Sequence, residues 1–269
     1  MVPKAAVTLV VAFSAVLAAA AATTNKRIIG GEVAKEGDFP FIVRLQYGDD
    51  TSILCGGTLL DSITVLTAAH CNLKDITSVR AGSLDKDTGG VVAQVGSRLR
   101  HPDYVLNGHH NDIAILKLST PIQASQTIGY AKLPASGLNP VIGSTAVAAG
   151  WGSTVELLGT VSDKLRRVTL PVDAPDECFD LEIDAGKGFQ NHLDTRVCAG
   201  ERGKDTGRGD SGGPLIDQET RQLIGVTSSV PLGAQYGRGF YTRVSSFIPW
   251  INQNLGDSGI DPRRVTGYM

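Results

Sequence analysis

FPFIVRLQYGDDTSILCGGTLLDSITVLT (39–67) holds three short apolar runs, FPFIVRLQ (39–46), ILCGGTLL (53–60) and ITVLT (63–67), with a GDD turn signal after the first. Each run is strand length, and polar or glycine-rich punctuation keeps it from growing into a helix. The pattern continues along the chain at VVAQVGSRL (91–99), IAILKL (113–118), STAVAAG (144–150), KLRRVTL (164–170), QLIGVTSS (222–229) and GFYTRV (239–244). Turn signals sit between the runs at DKDTGG (85–90), GLNP (137–140) and VPLGAQYG (230–237). No helical pattern of ten to fifteen residues separates them, so a sandwich or barrels is expected. The 32 glycines in 269 residues, against a usual share of about 7%, fit a turn-rich chain. Only SSFIPWINQNL (245–255) reads as a helix, with Phe247, Ile248, Ile251 and Leu255 on one face. The fold class is all-β.

Composition narrows the function. A chain of 269 residues that is 42% hydrophobic and 19% charged can bury a full core and is too apolar to be disordered. A net charge of −2 offers no attraction to nucleic acid or to an anionic membrane, and neither is expected as a partner. Residues 5–22 are apolar apart from Thr8 and Ser14, follow Lys4 and end in alanines before the polar TTNKR. A membrane anchor is the alternative, but small-residue cleavage sites and polar flanks read as a signal peptide over 1–22. Removing residues 1–27 takes three basic groups and no acid, moving the net charge from −2 to −5. The rest of the chain is then secreted and extracellular.

Four cysteines in an exported chain suggest two disulfides, with three possible pairings among Cys55, Cys71, Cys178 and Cys198. No CxxC pair or HExxH segment is present, so no metal is expected, and no cofactor either. DKDTGG lacks the later acidic positions of a calcium loop and reads as a turn.

Three motifs carry chemistry: TAAHC (67–71) with His70, HNDIAILKL (110–118) with Asp112, and GDSGGPL (209–215) with Ser211. A serine hydroxyl is a weak nucleophile until a neighbouring base takes its proton, and histidine is the side chain that titrates near neutrality. GDSGG also satisfies the G-x-S-x-G turn of another hydrolase class, which needs its histidine after the serine. All five histidines (70, 101, 109, 110, 192) precede Ser211, which removes that reading. A second GDSG at 256–259 lacks the following Gly-Pro and belongs to a tail.

With IIGG (28–31), NDIA (111–114), AAGWG (148–152) and PWI (249–251), these motifs resemble the chymotrypsin/trypsin family of serine proteases from Ile28 to about Leu255. The resemblance implies two packed antiparallel six-stranded β-barrels. His70 and Asp112 would come from the first and Ser211 from the second, with the family's triad roles. It also implies an oxyanion hole from the N–H groups of Gly209 and Ser211, with glycine at 209 suited to turning its N–H inward. Residues 23–27 would be an activation peptide, cut after Arg27 so that the Ile28 ammonium pairs with Asp210. Asp205 would lie at the base of a primary pocket bordered by Ser228, Val230 and Gly239, favouring Arg or Lys.

Three departures stand out: Gly207 replaces a usual pocket cysteine, Val230 a glycine at the pocket mouth, and Arg208 neighbours the oxyanion glycine. Val230 makes elastase-like preference the alternative specificity, and a non-catalytic binding protein is the alternative class. Expected partners are protein or peptide substrates and proteinaceous protease inhibitors, acting on a monomer.

Overall fold

A computed structural model describes residues 29–48, 54–71, 73–106, 109–153, 161–181, 193–229 and 237–256. The expected leader and activation segment through Ile28, the pocket residue Val230 and the tail from 257 lie outside these residues.

The first barrel is a closed antiparallel ring of β2 (Ile42–Gln46), β3 (Gly56–Leu59), β4 (Thr64–Thr67), β7 (Ala114–Leu118), β6 (Val91–Arg100) and β5 (Ser78–Ala81), in that order. The second runs β9 (Arg166–Asp173), β10 (Arg196–Ala199), β13 (Gly239–Arg243), β12 (Leu223–Ser229), β11 (Pro214–Asp217) and β8 (Thr145–Gly150), and a β8–β9 pairing closes it. A two-residue strand, β1 (Glu32–Val33), pairs with β9 on its outside. Closure leaves few unpaired backbone groups, which suits strands of only four to ten residues.

The apolar runs map onto strands, trimmed at their ends. β9 shows the cause most plainly: Val168, Leu170 and Val172 are buried and the residues between them are not, the two-residue period of a pleated strand. Those three residues, with Ala146, Ala148, Leu215, Ile224 and Tyr241, fill the second barrel. β5, β10 and β11 escape the apolar-run reading. SVRA and RVCA each carry an arginine inside four residues, and PLID adjoins the glycines of GDSGG. The helix expected over 245–255 is shorter: a 3-10 turn (Val244–Phe247) leads into α1 (Ile248–Gln253). Pro249, which has no N–H to donate, sits in the first turn of α1.

One larger apolar cluster joins residues of both barrels, from Leu45, Leu66 and Ile115 to Val147, Val226 and Ile251. Across the same seam the Trp151 indole N–H donates to the Leu84 carbonyl at 3.0 Å. The acids of the DKDTGG turn are taken up by ion pairs, Asp85 with Lys164 at 2.7 Å and Asp87 with Lys86 and Arg44 at 2.7 and 3.2 Å.

The cysteines pair as Cys55–Cys71 and Cys178–Cys198. The first bond joins residues 16 apart, linking the residue before β3 to the residue after His70. Constraining a loop of that length in the unfolded chain is worth about 3 kcal/mol. The double substitution Cys55→Ala, Cys71→Ala is expected to lower unfolding free energy by about that amount. Denaturant titration checks this, and a change below about 1 kcal/mol would mean the bond adds little to the packing already there.

Candidate active site

Strand ends bring the site together at the seam. His70 lies three residues beyond β4, Asp112 two residues before β7, and Ser211 three residues before β11. Asp112 is fully buried, while the His70 side chain keeps 18% exposure. The Asp112 carboxylate is bound twice by the histidine: Oδ1 accepts from the His70 backbone N–H at 2.8 Å, and Oδ2 lies 2.7 Å from His70 Nδ1. That geometry sets the tautomer, placing a proton on Nδ1 and leaving Nε2 free to accept one.

The second barrel completes the hold on Asp112. Ser228 Oγ donates to Asp112 Oδ2 at 2.5 Å, and Thr242 Oγ1 donates to the Asp112 backbone carbonyl at 2.8 Å. Ser228 reaches across because β12 and β13 shift register between Thr227 and Ser229, making Ser228 the extra residue of a bulge. Such a bulge re-aims a side chain that regular alternation would direct elsewhere. Burial disfavours the Asp112 charge, but the bonds from His70 and Ser228 outweigh it and hold the carboxyl below the usual carboxylate range.

Ser211 is half-buried and held through its backbone. Its carbonyl accepts from the Gly56 N–H at 2.7 Å, so the second barrel's serine loop rests on the first barrel's β3. Gly212 follows with φ +77, and a Cβ there would meet Thr67 Oγ1 at 2.2 Å and the Ala68 N at 3.1 Å. The serine loop is therefore packed directly on the segment that leads to His70. Gly209 has φ +99, a conformation that side-chain-bearing residues rarely adopt. Its N–H, like that of Ser211, enters no hydrogen bond among the described residues.

Two further buried acids flank the serine loop. Asp210 Oδ1 accepts from Gly152 N–H at 2.7 Å and Oδ2 from Gly207 N–H at 2.8 Å, yet complete burial raises its pKa to about 6 despite those bonds. Gly207, at the position of the missing cysteine, thus serves as a backbone donor. Asp205 is also fully buried. Its Oδ1 accepts from the Thr206 N–H at 2.7 Å, whereas Oδ2 has no well-aligned hydrogen-bond partner among the described residues. Burial raises the Asp205 pKa to about 7, with the Thr206 bonds opposing and the nearby Asp210 charge adding to the rise. Gly239 lies against Asp205, where a Cβ would come within 2.9 Å of Oδ1. At the start of the described chain, the Ile29 carbonyl accepts from the Asp205 N–H at 3.1 Å.

The structure thus brings His70, Asp112 and Ser228 into direct contact, sets Ser211 and Gly209 on the adjoining loop, and groups Asp205, Asp210 and Gly239 behind it. Sequence reasoning passed over His109, whose ring meets the His70 ring edge-on at 5.0 Å between centroids. The HH immediately before ND in HHNDIA was the available signal. Thr242 carried none, because its role depends on a partner 130 residues away.

The model of the Trypsin family matches residues 28–251. Trypsin alpha of Drosophila melanogaster is 33% identical over 231 residues, covering 84% of this chain and 86% of the relative. Trypsin beta of Drosophila erecta is 33% identical over 234 residues, covering 85% and 88%.

Gly212 and Gly203 share nearly the same φ, +77 and +79, but Gly203 has nothing within 4 Å of where a Cβ would stand. Gly203→Ala is expected to cost only the backbone strain, about 1–2 kcal/mol. Gly212→Ala adds a clash with β-barrel backbone and should cost at least about 2 kcal/mol more. Paired denaturation curves measure the difference, and equal losses would show that the serine loop is not tightly seated on Thr67 and Ala68.

Proposed function

Because this chain belongs to the trypsin family of serine endopeptidases, we propose that it is a secreted enzyme cutting peptide bonds on the carboxyl side of Arg and Lys. Ser211 Oγ attacks the scissile carbonyl carbon as His70 Nε2 takes its proton. The oxyanion of the tetrahedral intermediate accepts from the Gly209 and Ser211 N–H groups, each worth about 3 kcal/mol at the transition state. His70 then delivers the proton to the leaving amine, an acyl-enzyme forms, and water repeats the sequence to release the acid. Asp112 holds the ring and stabilises the imidazolium. This family is the reference case for that division of roles.

The Arg/Lys preference rests on one observation: Asp205 is a fully buried carboxylate with no cation beside it, and its Oδ2 meets no well-aligned donor among the described residues. A buried charge is costly alone and is stabilised by a guanidinium or ammonium brought to it. The small Gly239 leaves room beside it for a long side chain.

The chain is made as a precursor. Lys26-Arg27 precedes Ile28 in the sequence, and the Ile29 carbonyl is already bonded at Asp205, five residues from Asp210. Asp210 has two backbone donors and no cation among the described residues. An ammonium released at Ile28 supplies the missing charge and steadies the oxyanion loop.

Matched peptides with Arg, Lys, Ala or Phe before the scissile bond test the specificity. Protein whose N-terminus is Ile28 should cleave the Arg and Lys peptides, and Ser211→Ala should lose at least about four orders of magnitude in kcat. Leaving a cationic side chain unpaired in the pocket costs about 3–5 kcal/mol, so Asp205→Asn should lower kcat/KM for those peptides by roughly 10²–10³-fold or more. Preferred cleavage after Ala would transfer control of the pocket to Val230 instead.

Activation has a pH signature. The Asp210 pKa is raised from 3.8 to about 6, so folding favours its protonated form. That contribution is fully present below about pH 4 and disappears as pH rises through about 6, a loss of about 3 kcal/mol for the uncut chain. Pairing with the Ile28 ammonium removes the loss. Arg27→Gln protein should therefore be inactive and lose about 3 kcal/mol more denaturant stability between pH 4 and 8 than the cut enzyme, the decline from Asp205 being common to both. Full activity in the uncut variant would defeat the activation reading.

A further inference from the structure

Beside the His70–Asp112 pair stands a second imidazole that the hydrolytic mechanism does not use. His109 Nδ1 lies 3.7 Å from Asp112 Oδ2, and Nδ1 itself is buried without a hydrogen-bond partner among the described residues. The His109 side chain as a whole keeps 33% exposure, so a small solute can reach it from solvent. The backbone there is unusual: His109 and Asn111 have φ of +48 and +51, the left-handed region that residues other than glycine seldom occupy. Strain of this kind persists only where the surroundings impose it, and it accumulates at functional sites.

Each of His70, His109 and Asp112 offers a donor atom, and all three atoms lie within 4.8 Å of one another. A tetrahedral zinc ion with bonds of about 2.0–2.2 Å holds its donors roughly 3.3 Å apart. His109 Nδ1 stands 3.7 Å from Asp112 Oδ2 and His70 Nδ1 stands 2.7 Å from it, on either side of that span, so a cation among them replaces the His70–Asp112 hydrogen bond. Two imidazoles with one carboxylate suit a cation of borderline softness, whereas magnesium and calcium favour oxygen donors throughout. The other oxygen of Asp112, Oδ1, is held by the His70 backbone N–H, the kind of supporting contact that ligating carboxylates have, and Ser228 shares Oδ2. The other donor cluster among the described residues, Cys55 with His70 and Cys71, is closed because its two sulfurs form a disulfide.

We propose that His70, His109 and Asp112 form a binding site for a zinc-class divalent cation, and that its occupation reversibly switches the enzyme off. The site escapes a search for zinc spacing in the sequence because its donors converge through the fold and not through a CxxC or HExxH repeat. Inhibition follows from the two nitrogens of His70. A cation on Nδ1 takes the lone pair of the other tautomer, so the ring's single proton moves from Nδ1 to Nε2, which then donates toward Ser211 instead of accepting. A cation on Nε2 occupies the lone pair that would receive the serine proton. Either mode leaves no base. The inhibition rests on the proposed role of His70, but the binding does not.

Calorimetric titration of metal-free protein, with Ile28 as its N-terminus, by zinc chloride tests the binding without reference to turnover. One zinc per chain is expected, with affinity reduced about tenfold or more in His109→Leu and unaffected in His110→Ala. Peptide hydrolysis should fall over the same zinc range and return on adding a chelator. The His109→Leu variant should hydrolyse peptides yet resist zinc, and magnesium chloride should have no effect on either protein. Absence of zinc binding, equal binding in His109→Leu, or binding without inhibition would each overturn the proposal. Zinc binding through His109 in a protein that never hydrolyses a peptide would instead overturn the proposed function and leave the metal site standing.

Discussion

Asp112 has no exposed surface, yet holding His70 requires it to carry a charge, and neither barrel supplies enough donors alone. An ionised carboxylate in a dry interior is prohibitively unfavourable without several hydrogen bonds. Here the first barrel contributes the His70 N–H and ring, and the second contributes the Ser228 hydroxyl, with Thr242 bonded to the Asp112 backbone. Docking of the barrels and ionisation of Asp112 are thus one requirement. The seam's other links serve it: Gly56 to the Ser211 carbonyl, Trp151 to Leu84, and the apolar cluster spanning both barrels.

Three buried aspartates around this seam differ in how fully their oxygens are satisfied, and their charge states follow. Asp112 has the fullest complement and stays ionised below the usual carboxylate range. Asp210, with two backbone donors, sits near 6, and Asp205, with one oxygen lacking a well-aligned donor, near 7. Burial is severe in all three; the hydrogen bonds to Asp112 outweigh it, those to Asp210 do not, and at Asp205 the nearby Asp210 charge adds to the rise. Under the proposed function, the two acids with raised pKa values are the ones that receive a cation from outside the folded barrels, a new N-terminus for Asp210 and a substrate side chain for Asp205.

His109 adds a third element to the same electrostatic centre. Its ring meets the His70 ring edge-on and faces the Asp112 carboxylate, and its backbone is held in a sparsely populated conformation. A residue in that position couples whatever it binds directly to the state of the Asp112–His70 pair, since all three share the Asp112 Oδ2 neighbourhood.

Much of the fold was legible along the chain because strand periodicity is local. Val168, Leu170 and Val172 alternate inward, and such a pattern needs no knowledge of the partner strand. The His70, Asp112 and Ser211 motifs were legible too, as short words whose order excluded a rival hydrolase class. β5, β10 and β11 were not, because four-residue strands interrupted by arginine or preceded by glycines carry no periodic signal. The pairing of Cys55 with Cys71, the reach of Ser228 from a bulge and the approach of His109 to Asp112 were decided by the folded chain alone. Residue type and local pattern determined which groups could do chemistry and which segments could form strands. Barrel closure and docking decided which of those groups stand within a few ångströms of each other, because distances between residues far apart in sequence exist only once the strands have paired.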